Sequence, residues 1–497
     1  SVGTSIASGT TERRSIASGT MSKDSDVGGV PTALADASPD NIELQATSDA
    51  NGAVEEGMQT PPVTRERDLF GGSLALDSPG FVRVGRKPGT LKIPETPQGI
   101  TKEWLTQVYQ NRGYLRESGR VTEVTIKPLG DGLGVAGDLA RVSVELVGAM
   151  HFAPRSFVAK FTPKVASIMT SLVLKFQFAT EAHWYNDMLE EEEGLSRPAA
   201  FYIGAKLRHK RFWKLKPVVC MLVEEMPPPL YSVAGGCEHL PHLEAVVDML
   251  AKLHAKWWLA PKRPPVEWVA SPAQDNLGIQ LNALIFAAKA GTPAIRRCFG
   301  EVYAPVLAWG PLIKRRHRYL VRRLFEPPLT VCHGDVHLDN VFFAHDFPGG
   351  LKMIDFGNMF FGQGCNDLAF FLGTNLEPEV RRRHEEALLR RYHAGLRQGG
   401  VNTALYPFER CWEDYRLNMW RAYINIAYVT MSRFDVMRKK GTGAFAAEPD
   451  EGSRKELATY EARNRRLVAA LVDLKFDELL AEGPESCGPC SCLPFCA

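Results

Sequence analysis

The hydrophobic period of the chain separates a strand-rich stretch from a helix-rich one. Between Val121 and Phe161 it runs in short stretches rich in β-branched residues, VTEVTIKPL, ARVSVELV and SFVAKF, separated by Gly and Pro. That pattern predicts a small antiparallel sheet. Beyond the triplet Pro227–Pro229 the apolar residues instead recur three and four apart, in LEAVVDMLAKLHAKWW and again in EVRRRHEEALLRRYHAGL, which predicts amphipathic helices. Strands first and helices after give an α+β chain, with a sheet-rich lobe preceding a helix-rich one and the proline triplet near the junction.

Smaller signals fill in this plan. PETPQGITKEWLTQVYQ offers Thr101 as an N-cap, followed by Trp104, Leu105 and Val108 at helical spacing, so a helix should lead the first lobe. FATEAHWYNDML (178–189) reads as a further helix, and PVVCMLVEEM (217–226) as a continuous apolar strand that ends in acids. The boundaries are an arm over 1–90, a first lobe over 91–226, a helical lobe over 227–480 and a tail over 481–497. The arm is Ser, Thr, Gly, Asp and Pro with few aromatics, a composition that buries too little apolar surface to offset ordering entropy, and it is expected to be disordered. It repeats SIASGT at Ser5 and Ser15, with Met21 just after as a candidate initiator.

A formal net charge of +2 places no demand for nucleic acid or an anionic membrane as partner. The basic runs KRRHRYLVRR (314–323) and KLRHKRFWKLK (206–216) read as solvated helix or hairpin faces. Cys220, Cys237, Cys298, Cys332, Cys365 and Cys411 lack metal-ligand or disulfide-framework spacing, which fits a reducing compartment. No apolar run reaches bilayer length, and the first residues lack the basic-then-apolar plan of a signal peptide. The expectation is a cytoplasmic protein. The tail SCGPCSCLPFCA is not a prenylation box, because Pro494 stands fourth from the end. Metal binding, S-acylation and an inert tail stay open. S-acylation is the preferred reading and would give a peripheral membrane contact.

The chemistry concentrates in CHGDVHLDN (332–340) and, shortly after, MIDFGN (353–358). Phosphoryl transfer asks a protein mainly for positioning and charge neutralisation: a carboxylate for the attacking hydroxyl, oxygen ligands for magnesium, and a lysine on the phosphates. Gly334 lets the chain bend so that Asp335 sits in a tight loop. Asn340, five residues on, can turn an oxygen to a metal, and Asp355 at the end of LKMIDF can complete that metal site from a hairpin strand.

This H-G-D-x-x-x-x-N followed by I-D-F resembles the catalytic signature of the aminoglycoside phosphotransferase and choline kinase group, small-molecule relatives of the protein kinases. The resemblance is closest to the ecdysteroid-kinase-like branch. GQGCNDLAFFLG (362–373), IPETPQGITKEWLT, AKLHAKWW and LEPEVRRRHEEALLRRYHAGL share it. It implies a two-lobed protein-kinase-like fold using ATP and Mg2+. It makes Asp335 the catalytic base, Asn340 and Asp355 the magnesium ligands, Lys160 of FVAKF the phosphate-binding lysine and Glu181 of FATEAHWY its partner. His333 and Asp367 would brace the catalytic loop. LGDGLGVAGDLARV stands where the phosphate loop belongs, with Gly130, Gly132, Gly134 and Gly137; its spacing is looser than G-x-G-x-x-G, so which glycines touch phosphate stays open. MLVEEM looks like the hinge, where the Glu224 carbonyl and Met226 amide would read the adenine edge.

Each residue also has a bland reading. Asp335 alone is a turn aspartate, Lys160 an edge-strand lysine, the glycines loop punctuation. Their order is what favours a site. His337 is divided between a structural and an acceptor-side role. Trp412, Tyr415, Trp420, Tyr423 and Tyr428 read as core, and Glu413 and Asp414 among them as facing water. No A-P-E follows I-D-F, which argues against protein substrates. The reading is an ATP- and Mg2+-dependent kinase for a hydroxyl of a small acceptor, such as a sterol, choline-like, amino-sugar or other alcohol. The rival is a pseudokinase scaffold, whose mark would be degraded catalytic positions, and none is seen.

Overall fold

In the computed structural model, Thr101 Oγ1 accepts the Trp104 N–H at 3.2 Å, so helix α1 (Lys102–Asn111) starts where the cap predicts. The structure describes residues 81–83, 91–129, 138–162, 177–185, 196–206, 218–259, 269, 296–297 and 299–482. The glycine loop with Gly130, Gly132, Gly134 and Gly137, the four tail cysteines, Cys298 and all of the arm except 81–83 lie outside them.

Strands β1 (Phe81–Arg83), β2 (Leu115–Pro128), β3 (Asp138–Ala149), β4 (Ser156–Phe161), β5 (Ala200–Lys206) and β6 (Val218–Val223) form one antiparallel sheet in the order β1-β5-β6-β4-β3-β2. Strand β1 pairs with the Gly204–Lys206 end of β5. Helix α1 lays Trp104, Leu105, Val108 and Tyr109 on a core with Val142, Phe157, Phe161 and Leu222. Along β4 burial alternates, with Phe157, Ala159 and Phe161 in that core. A strand's period of two therefore turns Lys160 to the opposite face. Because β4 is paired with both β3 and β6, Lys160 stands on an interior strand and not at an edge. Residues 177–185 form helix α2, with Phe178, Ala182, Trp184 and Tyr185 buried.

After an extended passage across Pro227–Pro229 the chain is mainly helical. Helix α3 (Leu240–Lys256) is followed by α4 (Ala304–Ala308), α5 (Gly310–Arg323), α6 (Cys365–Asn375), α7 (Pro378–Gln398), α8 (Phe408–Thr430), α9 (Val436–Lys440), α10 (Glu451–Asp473) and α11 (Phe476–Glu482). Helix α6 is buried along its whole length, which matches its apolar sequence. Two strand pairs interrupt the helices. Strand β7 (Thr330–Cys332) pairs with β10 (Phe360–Gly362), and β8 (Val341–Phe343) with β9 (Leu351–Met353). Between these strands lie the segments 333–340 and 354–359. The two-lobed α+β arrangement is the predicted one.

The basic run 314–323 is helical, in α5, and Arg316 Nη1 donates to the Leu480 and Ala481 carbonyls, placing a cation at the C-terminus of α11. Tyr415, Trp420 and Tyr423 of α8 are core, whereas Tyr428 is exposed. Asp414 departs from expectation. It is buried, accepting from Arg410 Nε at 2.9 Å and Tyr406 Oη at 3.1 Å, and burial raises its carboxyl to about 6. Glu413 does face solvent. Among the described residues no helix is long and apolar enough to cross a membrane.

Candidate active site

Strand β4 and helix α2 bring Lys160 and Glu181 together, with Nζ 2.5 Å from Oε2, and the same Nζ lies 3.2 Å from Asp355 Oδ1. The lysine therefore ties the sheet lobe to the β9 strand pair. Burial alone would lower its pKa, but the Asp355 and Glu181 carboxylates outweigh it and hold the ammonium charged. Burial pushes the Glu181 carboxyl up to about 7 against the pull of Lys160. Asp355 is also desolvated, yet the Lys160 charge and hydrogen bond keep its carboxyl below the usual range. Its backbone is left-handed, at φ 63° and ψ 61°, a conformation unfavourable for a residue other than glycine or asparagine-like side chains.

The loop 333–340 is built on a glycine that no other residue could replace. Gly334 has φ 82°, and a Cβ there would lie 2.2 Å from the Asn358 carbonyl oxygen. The bend aims Asp335 at Asn358, whose Nδ2 donates to Oδ2 at 3.0 Å. Burial, with the nearby Asp355 charge, raises the Asp335 carboxyl to about 6, although Arg463, His333 and the Asn358 hydrogen bond pull it down. His333 Nε2 meets the Ile354 carbonyl at 3.0 Å and Nδ1 accepts the Asp335 N–H at 3.3 Å. The ring thus carries its proton on Nε2 and fixes the loop instead of moving protons. Asn340 Nδ2 donates to the Asp335 carbonyl at 3.0 Å and faces His337 Nε2 at 3.1 Å, so Oδ1 is the atom this amide can offer a cation. His337 Nε2 is an acceptor, and burial with the Arg463 charge lowers its pKa to about 3.

Asp367 braces the loop from below. Its carboxylate accepts the N–H groups of His333 at 2.6 Å and Gly334 at 3.0 Å, together with Asn366 Nδ2. His254 Nε2 approaches it at 3.2 Å while Nδ1 meets Tyr392 Oη at 2.8 Å. His254, Cys332 and Asp367 converge closely enough to suggest a metal site. The carboxylate is already spent on four hydrogen bonds, and burial holds the Cys332 thiol protonated, so the cluster is a structural network.

At the lobe junction the Glu224 N–H donates to the Ala199 carbonyl at 2.8 Å. Its carboxylate turns to Lys352 Nζ, 2.7 Å from both oxygens, so with the side chain and the N–H engaged the backbone carbonyl is the atom of Glu224 left for a ligand. Met226 follows in the extended passage. The fold therefore gathers Lys160, Glu181, Asp335, Asn340 and Asp355 with their braces His333 and Asp367, while Glu224 and Met226 stand at the junction. Three neighbours carry no prediction. Asn358 closes the quoted MIDFGN and was readable as a polar residue after Asp355. His254 sits on the apolar stripe of α3, a signal for a buried role. Arg463 looks like one more solvated charge on α10.

A sheet lobe carrying a lysine–glutamate pair, joined to a helical lobe with a braced H-G-D-x-x-x-x-N loop, defines a two-lobed protein-kinase-like fold. Residues 312–401 match the model of the ecdysteroid kinase-like family. Similar solved structures include choline kinase from Cryptosporidium parvum Iowa II, at 12% identity and TM-score 0.42, covering 76% of this chain and 97% of that one. Ethanolamine kinase from Plasmodium vivax is 11% identical with TM-score 0.38 and coverage of 63% and 78%. An aminoglycoside phosphotransferase from Streptomyces rimosus in complex with ADP and streptomycin is 16% identical with TM-score 0.31 and coverage of 54% and 85%. No curated protein matches the chain.

Proposed function

We propose that the chain is an ATP- and Mg2+-dependent small-molecule kinase that transfers the γ-phosphoryl group to a hydroxyl of a small acceptor. The observation that carries this reading is the convergence of Lys160 with Glu181 and Asp355, 2.5 and 3.2 Å away, in the site that also holds Asp335. Lys160, fixed by Glu181, takes the phosphates. The Glu224 carbonyl and Met226 N–H read the nucleotide base, and the loop with Gly130, Gly132 and Gly134 covers the phosphates. Asn340 and Asp355 fit Mg2+: one offers an amide oxygen because its nitrogen is committed, the other a carboxylate held ionised, and both are hard oxygen donors. Held by these two residues, Mg2+ would supply positive charge to offset that of the phosphates.

Asp335 orients the acceptor hydroxyl and takes its proton as the oxygen bonds to phosphorus and the bond to ADP breaks. A carboxyl raised to about 6 is ionised at neutral pH and still basic enough for this transfer. Asn358 fixes Oδ2 and leaves Oδ1 for the hydroxyl. His333 and Asp367 hold the loop so that little reorganisation accompanies the reaction.

The test pairs two measurements. Thermal stabilisation by ATP should require Mg2+, and a screen of alcohols should release ADP with wild type but not with Asp335→Asn. Nucleotide binding with no acceptor turned over, in wild type and variant alike, would instead favour a scaffold.

A further inference from the structure

Helix α2 meets the segment after β9 along one face. Gln177, Glu181, Trp184 and Tyr185 fall at the i, i+4, i+7 and i+8 positions of that face. Trp184 stacks on Phe356 with ring centroids 4.5 Å apart, and Tyr185 meets the same ring edge-on at 6.4 Å. Glu181 holds Lys160, whose Nζ also reaches Asp355. At the start of the helix a Cβ on Gly357 would come within 3.1 Å of the Gln177 carbonyl oxygen, so the two backbones approach closely there. Gln177 Nε2 donates to Asn358 Oδ1 at 2.7 Å, across 181 positions of sequence. Asn358 Nδ2 in turn donates to Asp335 Oδ2 at 3.0 Å.

The polarity of this chain of bonds is dictated from its far end. An ionised carboxylate can only accept, so Asn358 must offer it Nδ2. That leaves Oδ1 facing away from Asp335, where only a donor satisfies it, and Gln177 supplies that donor. With the amide turned over, oxygen would face oxygen at the Asp335 end and nitrogen would face nitrogen at the Gln177 end, so the two neighbours fix it together. His333 and Asn340 hold the backbone of Asp335, whereas Asn358 holds its carboxylate. A base must meet the hydroxyl within hydrogen-bond reach, and a small misplacement lowers the rate steeply. The donor on α2 therefore bears on the reaction although it stands one residue removed from the base.

We propose that Gln177 is a positioning residue for the base: through Asn358 it fixes the turn of the Asp335 carboxylate that presents Oδ1 to the acceptor hydroxyl. This rests on the kinase reading. It makes helix α2 the shared control of both halves of the site, with Glu181 setting the lysine for the nucleotide and Gln177, one turn earlier, setting the base for the acceptor.

The experiment measures ADP release from ATP and Mg2+ with a panel of simple alcohols, diols and amino alcohols, in wild type and Gln177→Leu, each with and without Asn358→Ala. Gln177→Leu should lower kcat by about tenfold and change the KM for ATP by less than about twofold. Once Asn358→Ala is present, Gln177→Leu should lower kcat no further. A fall that persists in that background, or a KM for ATP that rises as kcat falls, would make Gln177 a structural residue of α2 and overturn the proposal. Melting temperatures at pH 7.5 read the same chain of bonds without turnover, and they decide if no alcohol is phosphorylated. Gln177→Glu puts an acceptor where the donor stood, which draws Asn358 Nδ2 away from Asp335 and sets Oδ1 against the carboxylate. It should melt several degrees lower, and adding Asp335→Asn, whose amide can donate to that oxygen, should recover most of the loss. No recovery, or a recovery equally large in Asn358→Ala, where only charge repulsion is relieved, would sink the proposal. Failure of the kinase reading is visible separately, as no stabilisation of wild type by ATP and Mg2+.

Discussion

Lys160 Nζ lies 3.2 Å from Asp355 Oδ1 across 195 positions of sequence, a contact between the sheet lobe and the helical lobe. Lys160→Met should leave Glu181 buried without its cation, so that this carboxyl protonates, and should free Asp355 from the charge that holds its pKa down. Turnover should fall by about two orders of magnitude or more. Asp355→Asn should instead weaken the Mg2+-dependent part of ATP binding. Calorimetry with and without Mg2+ separates the two, and ATP binding by Asp355→Asn that keeps its full Mg2+ dependence would remove Asp355 as a metal ligand.

Asp335→Asn should trade activity for stability. The carboxyl is raised from 3.8 to about 6 in the fold. Its ionisation therefore costs the native state nothing below the unfolded pKa, an increasing amount as pH rises between the two values, and about 3 kcal/mol at most above 6. Asparagine keeps an acceptor for Asn358 and carries no charge. Its melting temperature should rise by a few degrees at pH 7.5 and by less at pH 5, while turnover drops about a hundredfold or more. A variant that melts lower at pH 7.5 would show that the carboxylate is not strained.

The acid limb of kcat/KM should report the same group, falling tenfold per pH unit below about 6 as Asp335 takes up a proton. The Asn358 hydrogen bond favours the ionised form, so Asn358→Ala should move that limb to higher pH. Profiles for both proteins on one acceptor check this, and a limb that stays in place would detach Asn358 from the base.

Gly334→Ala tests the loop itself. With φ at 82° and the Asn358 carbonyl 2.2 Å from the new Cβ, the backbone must shift. A loss on the order of 2–4 kcal/mol is expected, together with most of the turnover. Denaturant unfolding indistinguishable from wild type would mean that the bend tolerates a side chain.

Local chemistry was legible. Thr101 caps α1 because its oxygen reaches an N–H three residues on, and the placing of Asp335 and Asn340 in a glycine-bent loop and of Asp355 just after a strand was readable because these are short-range features. Asp414 was misread because a heptad-like face of α8 carries both apolar and charged residues. Its burial depends on Tyr406 and Arg410, the former supplied from outside the helix.

The order of strands and helices, the bend at Gly334 and the lysine on a strand are set by nearest neighbours along the chain, through period, turn geometry and capping, and so they stand in the sequence alone. The partners of Lys160, the Asn358 clamp on Asp335, the seat of His254 beneath the loop and the burial of Arg463 were decided only by tertiary structure. Each depends on burial and on charges brought together from distant positions, and desolvation has no signature in the local run of residues.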